Sequence, residues 1–223
     1  MDSVRIIEVK ENILIDNDTK AQELRAGLKK DGTFLINLMS SPGSGKTSTI
    51  LRTAEYLRGE LKLGIMEADI DSAVDAEKLL SVQIPAIQLH TCGMCHLDAS
   101  MTEEGLKELD AAQYDLVFLE NIGNLVCPAE FDTGAVCNMM ILSVPEGDDK
   151  PLKYPLMFSK VDVLLVNKID YLPISDFNMA AMKERVLALN PNVKIFEVSA
   201  KTGEGFEAWT AWLRQTVKDW MDK

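Results

Sequence analysis

Short apolar runs alternate along the chain with stretches of helical periodicity. Seven runs predict strands, at residues 33–39, 63–66, 86–89, 116–119, 136–144, 161–166 and 193–198. Stretches between or after these runs predict helices, at residues 47–57, 73–80, 100–109, 177–189 and 206–220. Strands that are apolar almost throughout are typical of a parallel sheet that is covered on both faces. The alternation therefore predicts an α/β fold with a mostly parallel sheet flanked by helices.

The first 31 residues lie outside this alternation. Residues 18–30 have the periodicity of a helix that is more polar than the others, which predicts an extension packed on the sheet or in a subunit contact. We divide the chain into an N-terminal helical extension, 1–31, and an α/β domain, 32–223. The acidic segment 145–151, rich in Pro and Gly, is predicted to be a loop that can move.

Charge and cysteine content narrow the class of protein. The chain has 35 acidic and 23 basic residues and a net charge of −12, which argues against nucleic acid or an anionic membrane surface as a partner. No apolar run approaches the roughly 18 residues of a membrane-spanning helix, and the first residues lack a signal-peptide pattern. We expect a cytoplasmic protein whose four cysteines are thiols or thiolates.

A phosphate-binding loop follows the first predicted strand. The segment Ser40-Ser41-Pro42-Gly43-Ser44-Gly45-Lys46-Thr47 fits the pattern Gly, four residues, Gly-Lys-Ser/Thr, with Ser40 in place of the first glycine. Backbone N–H groups of such a loop and the following helix N-terminus hold phosphates. Lys46 is predicted to reach the β- and γ-phosphates, and Thr47 to bind Mg²⁺. The nucleotide-binding residues assigned here are Gly43, Ser44, Gly45, Lys46, Thr47 and Ser48.

Two later motifs indicate a guanine site. Asn167-Lys168-Ile169-Asp170 follows a predicted strand, and a carboxylate at Asp170 can accept hydrogen bonds from two guanine donors that adenine lacks. Lys168 is predicted to lie along the base, and Asn167 to brace the loops. Ser199-Ala200-Lys201 follows the last strand, where a backbone N–H can reach the guanine carbonyl. Motifs in this order at strand ends predict a phosphate-loop GTPase domain.

Acidic residues after two other strands are candidates for magnesium and water. Glu120-Asn121-Ile122-Gly123 stands where ordinary small GTPases have Asp-x-x-Gly, and Glu120 is predicted to hold a magnesium-bound water. Asp69 and Asp75 are predicted, with Lys46 and Glu120, to serve catalysis. The alternative is helix N-capping, for which Asp71 fits best. We recognise no arginine finger or catalytic glutamine, so slow intrinsic hydrolysis is expected.

Three of the four cysteines and both histidines fall in two segments that follow parallel strands. Cys92, Cys95 and His96 lie in one segment, and Cys127 lies in the other. Thiolates and imidazole bind zinc in a tetrahedral site or nickel in a square-planar one. A structural zinc knuckle and a redox Cys-x-x-Cys are the alternatives. His90 is as readily a packed core residue as a ligand, and Cys137 is expected to be a small buried hydrophobe.

Taken together, these motifs resemble the HypB family of nickel-incorporation GTPases, within the dimerising, signal-recognition-particle-like (SIMIBI) class. The phosphate loop, Asp-Ala-Glu-Lys at 75–78, Cys-His-Leu-Asp-Ala at 95–99, Glu-Asn-Ile-Gly-Asn-Leu-Val-Cys-Pro at 120–128 and Glu-Gly-Asp-Asp-Lys-Pro-Leu-Lys-Tyr-Pro at 146–155 carry the resemblance. It covers residues 30–223. The cysteine or histidine-rich stretch that some relatives carry at the N-terminus is not found in residues 1–31.

The resemblance implies GTP hydrolysis coupled to nickel delivery during maturation of a nickel-iron hydrogenase. It implies a nucleotide-dependent homodimer, a HypA-type zinc or nickel chaperone and the hydrogenase large-subunit precursor as partners. Cys95, His96 and Cys127 match the family's metal-binding positions, and Cys92 is a possible fourth ligand. Lys150 and Lys153 match a loop that is linked to nucleotide state and the dimer contact.

Three alternatives remain open. A urease-type nickel GTPase is disfavoured because Ala129, and not a histidine, follows Cys127-Pro128. A regulatory GTPase with a structural zinc would not exchange its metal on hydrolysis. A kinase or ATPase that uses the same loop would prefer ATP.

Overall fold

A seven-stranded sheet, parallel throughout, forms the centre of the molecule. The structure is a computed structural model that describes residues 9–69, 84–91 and 93–222. The strands are β1 Phe34–Ser40, β2 Leu63–Asp69, β3 Ala86–His90, β4 Leu116–Glu120, β5 Cys137–Ser143, β6 Val163–Asn167 and β7 Lys194–Glu197. Their order across the sheet is β3-β2-β4-β1-β5-β6-β7. The predicted fold class and all seven predicted strands are confirmed.

Helices cover both faces of this sheet. They are α1 Val9–Asp31, α2 Lys46–Leu57, α3 Ala99–Leu109, α4 Lys150–Lys153, α5 Pro155–Lys160, α6 Met179–Leu189 and α7 Phe206–Met221. Short 3₁₀ turns lie at Ala111–Gln113, Cys127–Ala129, Val144–Glu146 and Ile169–Ile174. The helix predicted at 73–80 lies outside the described residues. No helix among the residues described is both long and apolar enough to cross a bilayer.

Alternate residues of the central strand point to opposite faces, as the two-residue period of a strand requires. Ile36 is buried in the cluster that α2 and α7 cover, which includes Trp209 of α7. Leu35 is buried on the other face, in the cluster that contains Leu28 of α1 and Leu106 of α3. Both faces of β1 are therefore closed, and its carboxyl end is where open α/β sheets carry their ligand sites.

The N-terminal helix begins earlier than the sequence predicted, at Val9 instead of residue 18. It packs on the sheet face that α3 also covers, through Leu24 and Leu28. Its last turn approaches the C-terminal helix, where Lys29 lies over the ring of Trp220. The boundary between extension and domain at residue 31 stays a prediction.

The prediction of a loop over residues 145–151 is partly wrong, because the 3₁₀ turn ends at Glu146 and α4 begins at Lys150. The segment between them is tied to α6. Asp148 accepts a hydrogen bond from the Asn178 N–H at 2.7 Å and pairs with Arg185. These two partners hold the pKa of Asp148 below its ordinary value.

Candidate functional site

The phosphate loop joins β1 to α2 at the centre of the sheet edge. Gly43 and Gly45 have φ values of +73° and +101°, a backbone region that favours glycine. A Cβ on Gly45 would lie 2.6 Å from Nδ2 of Asn167, so this glycine is required by space as well as by backbone angle. Ser40, which replaces the expected first glycine, is buried and accepts a 2.6 Å hydrogen bond from the Ser44 hydroxyl.

Asn167 and Lys168, at the end of β6, fasten the base-side loops to the phosphate loop. The Asn167 amide donates to the Ser44 carbonyl at 2.9 Å and accepts from the Ala200 N–H at 3.1 Å. Lys168 has a left-handed backbone (φ 62°) and donates from Nζ to the Gly43 carbonyl at 2.7 Å. Strained residues of this kind persist where the surroundings hold them. The two loops thus form one connected unit.

The candidate guanine reader lies between the ends of β6 and β7. The Asp170 carboxylate accepts a 2.7 Å hydrogen bond from the Ser199 hydroxyl, and Lys201 Nζ lies 3.9 Å from its other oxygen. Ser199 is fully buried, whereas the Lys201 side chain is 79% exposed. The hydrogen bond from Ser199 to one oxygen fixes the orientation of the Asp170 carboxylate.

Thr47 and Glu120 meet beside the phosphate loop, where the sequence predicts magnesium. The Thr47 hydroxyl lies 3.4 Å from both carboxylate oxygens of Glu120. Glu120 is 5% exposed and stands in register with Glu67 of β2, which is also buried. Hydroxyl and carboxylate oxygens are hard ligands of the kind that Mg²⁺ prefers, so the residues present fit this ion.

A row of amide side chains lies beneath this point. Asn121 donates to Asn37 at 2.9 Å, and Asn37 donates to Asn138 at 3.0 Å. Asn37 and Asn121 are buried and join β4 to the phosphate-loop strand β1. Buried amides that are paired in this way fix the positions of the strands that carry them.

The candidate transition-metal residues lie together at the surface. Cys95 Sγ is 2.8 Å from Cys127 Sγ and 3.9 Å from Nδ1 of His96. The His96 ring stacks on Phe131, with the ring centroids 3.8 Å apart and the planes 16° from parallel. Two sulfurs and an imidazole are soft or borderline ligands, which suit nickel or zinc.

Protonation in this cluster follows from its contacts. The hydrogen bond to Cys127, and then burial, raise the pKa of the Cys95 thiol. Burial lowers the pKa of His96, which favours the neutral imidazole, the form that binds metals. Across 9–69, 84–91 and 93–222, no three side chains are arranged as a complete metal site. The thiol pair and the imidazole would have to close around an ion.

One short segment joins the two sites. It leaves β4 at Glu120 and reaches Cys127 at the start of a 3₁₀ turn. Gly123 packs against the phosphate loop so closely that a Cβ there would lie 3.0 Å from Cγ of Pro42. Asn124 donates to the Cys95 carbonyl at 3.3 Å. The segment therefore contacts the phosphate loop at one point and the cysteine loop at the next.

Several predicted residues are not placed in either site. Asp75, Asp71 and Cys92 lie outside the described residues, and Asp69 is described only as the last residue of β2. Of the two interpretations left open for His90, a packed core residue is wrong, because its side chain is exposed at the end of an outer strand. Cys137 is 4% exposed in β5, and burial raises its pKa well above the ordinary value, as expected for a core thiol.

Three residues that support the sites were not predicted from the sequence: Asn37, Phe131 and Asn17. A single amide in the apolar run of β1 could have signalled Asn37. Neither the spacing nor the composition around Asn17 and Phe131 sets them apart, because their contacts cross long stretches of chain. Asn17, for example, donates to the carbonyl of Asp132.

A family model and curated proteins match most of the chain. A family model described as the CobW/HypB/UreG nucleotide-binding domain matches residues 34–197. Hydrogenase maturation factor HypB from Rhizobium leguminosarum bv. viciae is 44% identical over 213 residues, which cover 96% of this chain and 71% of that protein. Hydrogenase/urease maturation factor HypB from Helicobacter hepaticus is 45% identical over 202 residues, covering 89% and 83%.

Solved structures also match most of the chain in fold. The crystal structure of HypB from Helicobacter pylori in complex with nickel has a TM-score of 0.86 and 38% identity, and the match covers 92% of this chain and 96% of that one. HypB from Archaeoglobus fulgidus has a TM-score of 0.85 and 38% identity, covering 92% and 100%. The signal recognition particle receptor FtsY from Elizabethkingia anophelis, at a TM-score of 0.52 and 16% identity over 85% of this chain and 70% of that one, shares the fold.

Proposed function

Because the chain belongs to the HypB family of maturation factors, we propose that it is a GTP-hydrolysing metallochaperone that couples its nucleotide state to nickel delivery. The client is the precursor of a nickel-iron hydrogenase. Relatives that are named as both hydrogenase and urease factors keep a urease-type client as the second candidate. The proposed location is the cytoplasm, in keeping with free thiols at Cys95, Cys127 and Cys137.

The nucleotide is GTP. The phosphate loop holds the phosphates, Lys46 contacts the terminal ones, and Thr47 and Glu120 hold Mg²⁺, which neutralises the charge on the phosphates when bound. Asp170, oriented by Ser199, reads guanine. Asp69 and Asp75 orient water or the ion. Slow hydrolysis follows from the lack of a recognised arginine finger.

The cargo is nickel, with zinc as the competing ion. Cys95, His96 and Cys127 bind it, and Cys92 is a candidate fourth ligand. A structural zinc site has four protein ligands in a closed tetrahedron. The described cysteine loop instead offers an exposed thiol at Cys95 in contact with Cys127, which suits a site that must release its ion.

The contact of one short segment with both sites carries this proposal. Glu120 lies beside Thr47, and Cys127 touches Cys95, with seven residues from the first to the second. The γ-phosphate orders switch segments of this kind and its loss releases them. Movement of Cys127 away from Cys95 would lower nickel affinity. By reciprocity, bound nickel must change nucleotide affinity by the same factor.

The partners follow from the family. We propose a homodimer that forms with bound nucleotide, with Lys150 and Lys153 at or near the contact, and a HypA-type chaperone that exchanges metal with it.

The test is a nickel titration of the apo, GDP and non-hydrolysable GTP-analogue states, with size-exclusion chromatography of each. We expect nickel affinities that differ about tenfold between nucleotide states, which corresponds to about 1.4 kcal/mol of coupling. Cys127→Ser should abolish tight nickel binding and leave GDP affinity unchanged. The control, Cys137→Ala, removes a buried thiol that is remote from the metal and should change neither. Equal nickel affinity in all three states would reject coupling.

Base preference is tested separately by competition of GTP against ATP. Asp170→Asn should weaken GTP binding, because an amide cannot accept both guanine donors. If ATP competed as well as GTP against the unaltered protein, the proposed preference for GTP would be wrong.

A further inference from the structure

We propose that Asn17 of the N-terminal helix is a positioning residue of the nickel centre, and that α1 acts as a brace between its two ligand-bearing segments. This inference rests on the proposed metal site and adds a part of the molecule that the site itself does not include. It assigns to the extension a function in metal binding by this domain, although no residue of α1 is a proposed ligand.

The two segments meet α1 through one side chain. Asn17 Oδ1 accepts a 3.0 Å hydrogen bond from the N–H of Ala99, the first residue of α3. Asn17 Nδ2 donates to the Asp132 carbonyl at 2.9 Å. These bonds span 82 and 115 residues of sequence. A single amide thus holds the segment after His96 and the segment after Cys127 at a fixed separation.

The hydrogen bond from Ala99 to Asn17 satisfies a backbone N–H that has no partner within α3. The first N–H groups of a helix have no intrahelical partner. The α3 N-cap, Asp98, uses its carboxylate to accept from Met101 at 2.8 Å. Asn17 supplies the partner for Ala99, so the start of α3 is defined from outside. Ala99 lies three residues beyond His96, and its position limits where that imidazole can stand.

The second bond reaches the other side of the cluster. Asp132 directly follows Phe131, whose ring stacks on His96 at 3.8 Å. Two hydrogen bonds of Asn17, the ring contact of His96 with Phe131, and the backbone of residues 96–99 and 131–132 therefore form a closed ring of contacts. Loss of the Asn17 side chain would remove both hydrogen bonds, and the His96 imidazole could then move with the segment that carries it.

Other residues of α1 strengthen the same two attachments. Arg25 contacts the Asp132 carboxylate at 2.8 Å and donates from Nε to the Ala135 carbonyl at 2.9 Å. Lys20 pairs with Glu103 of α3 at 2.9 Å. These charged contacts fix the helix to each segment separately. Asn17 is distinct because the same side chain contacts both.

The experiment compares Asn17→Ala with Thr19→Ala, a change on the same helix. Thr19 is exposed, and its hydroxyl donates to the Ile15 carbonyl within α1. We expect Asn17→Ala to weaken nickel affinity by about tenfold, as is typical when a group that orients metal ligands is removed. The sulfur-to-metal charge-transfer band of the Co²⁺-substituted protein should shift or weaken. GDP affinity should stay within twofold of the starting protein. Thr19→Ala should change none of the three.

A second variant guards against a simple loss of folding. Asn17→Asp keeps an acceptor for Ala99 and loses the donor to Asp132, and it should reduce nickel affinity with an unchanged GDP affinity. Unaltered nickel affinity and cobalt spectrum in both Asn17 variants would overturn the inference. Equal losses of nickel and GDP binding would also overturn it, because they would indicate general destabilisation. If the starting protein and Cys95→Ser bound nickel equally, the proposed function would fail instead.

Discussion

The nucleotide end and the metal end of this molecule are built in different ways. At the nucleotide end, Asn167 and Lys168 hydrogen-bond directly to the phosphate loop, and the loops continue from buried parallel strands. At the metal end, Cys95 is exposed, and the cysteine loop follows the outer strand β3. The support there comes from α1, at long sequence separation, and from the His96–Phe131 stack.

The difference matches what each end has to do. A phosphate chain is held by backbone N–H groups that must already point inward, so a rigid loop lowers the ordering cost of binding. Under the proposed function a nickel ion has to be released, and a site whose ligands lie on separate segments can open. Under the proposed function, the segment from Glu120 to Cys127 transmits the nucleotide state to the metal ligands.

The largest effect is expected from a substitution in the phosphate loop that weakens nucleotide binding alone. Gly45→Ala adds a Cβ 2.6 Å from the Asn167 amide at a φ of +101°. We expect GDP affinity to fall about 100-fold, which corresponds to about 2.7 kcal/mol, and nickel affinity in the apo state to be unchanged. Isothermal titration measures both. Gly43→Ala is the control, since nothing lies within 4 Å of its Cβ, and only backbone strain of about 1–2 kcal/mol applies. Equal losses in the two variants would contradict the steric explanation.

The next effect concerns the connection between the ends. Asn37→Ala removes the acceptor for Asn121 beside Glu120. An unsatisfied buried donor costs about 1–3 kcal/mol, so we expect the free energy of unfolding to fall by about 2 kcal/mol in urea denaturation. Nucleotide and nickel affinities should both decrease, because the residue after Glu120 loses its tie to β1.

Asn138→Ala is the matched control for that variant. It removes the other partner of Asn37 and leaves the Asn37–Asn121 bond in place. A smaller loss of stability with unchanged ligand affinities is expected. If Asn138→Ala weakened both ligands as much as Asn37→Ala, the amide row would have no special connection to the segment at Glu120.

The smallest effect tests the charged attachment of α1 to the metal end. Hydrogen bonds from Lys20 and then Lys107 lower the pKa of Glu103 below its ordinary 4.5. The folded protein therefore favours the ionised form. This contribution is present above the unfolded-state pKa and is lost as pH falls through the folded-state pKa. Glu103→Gln should lower Tm by at most about 3 °C at pH 7.

That difference in Tm should shrink as the pH is lowered below about 4.5, the ordinary pKa of this group. The neighbouring exposed glutamate supplies the control, and Glu104→Gln should change Tm less than Glu103→Gln at pH 7. Scanning calorimetry at a series of pH values distinguishes the two. A Glu103→Gln effect that stayed constant down to pH 3 would mean that the ion pairs contribute nothing.

Local chemistry explains why the nucleotide site was predictable. The apolar runs predicted β1, β4 and β6 correctly, because a strand that is buried on both faces has apolar residues at almost every position. Parallel strands end at one edge, so Thr47 and Glu120 were expected together, and their atoms lie 3.4 Å apart. The left-handed backbone of Lys168 and its bond to Gly43 had no signal in the sequence, since both depend on how two loops face each other.

The sequence by itself determined the alternation of strands and helices, the phosphate loop and the chemical types of the candidate ligands, since these depend on neighbouring residues. Only the tertiary structure decided that Cys127 touches Cys95 and that Asn17 joins Ala99 to Asp132. Such contacts link residues that are 32 to 115 positions apart. Their geometry is set by the packing of whole elements, which no local pattern records.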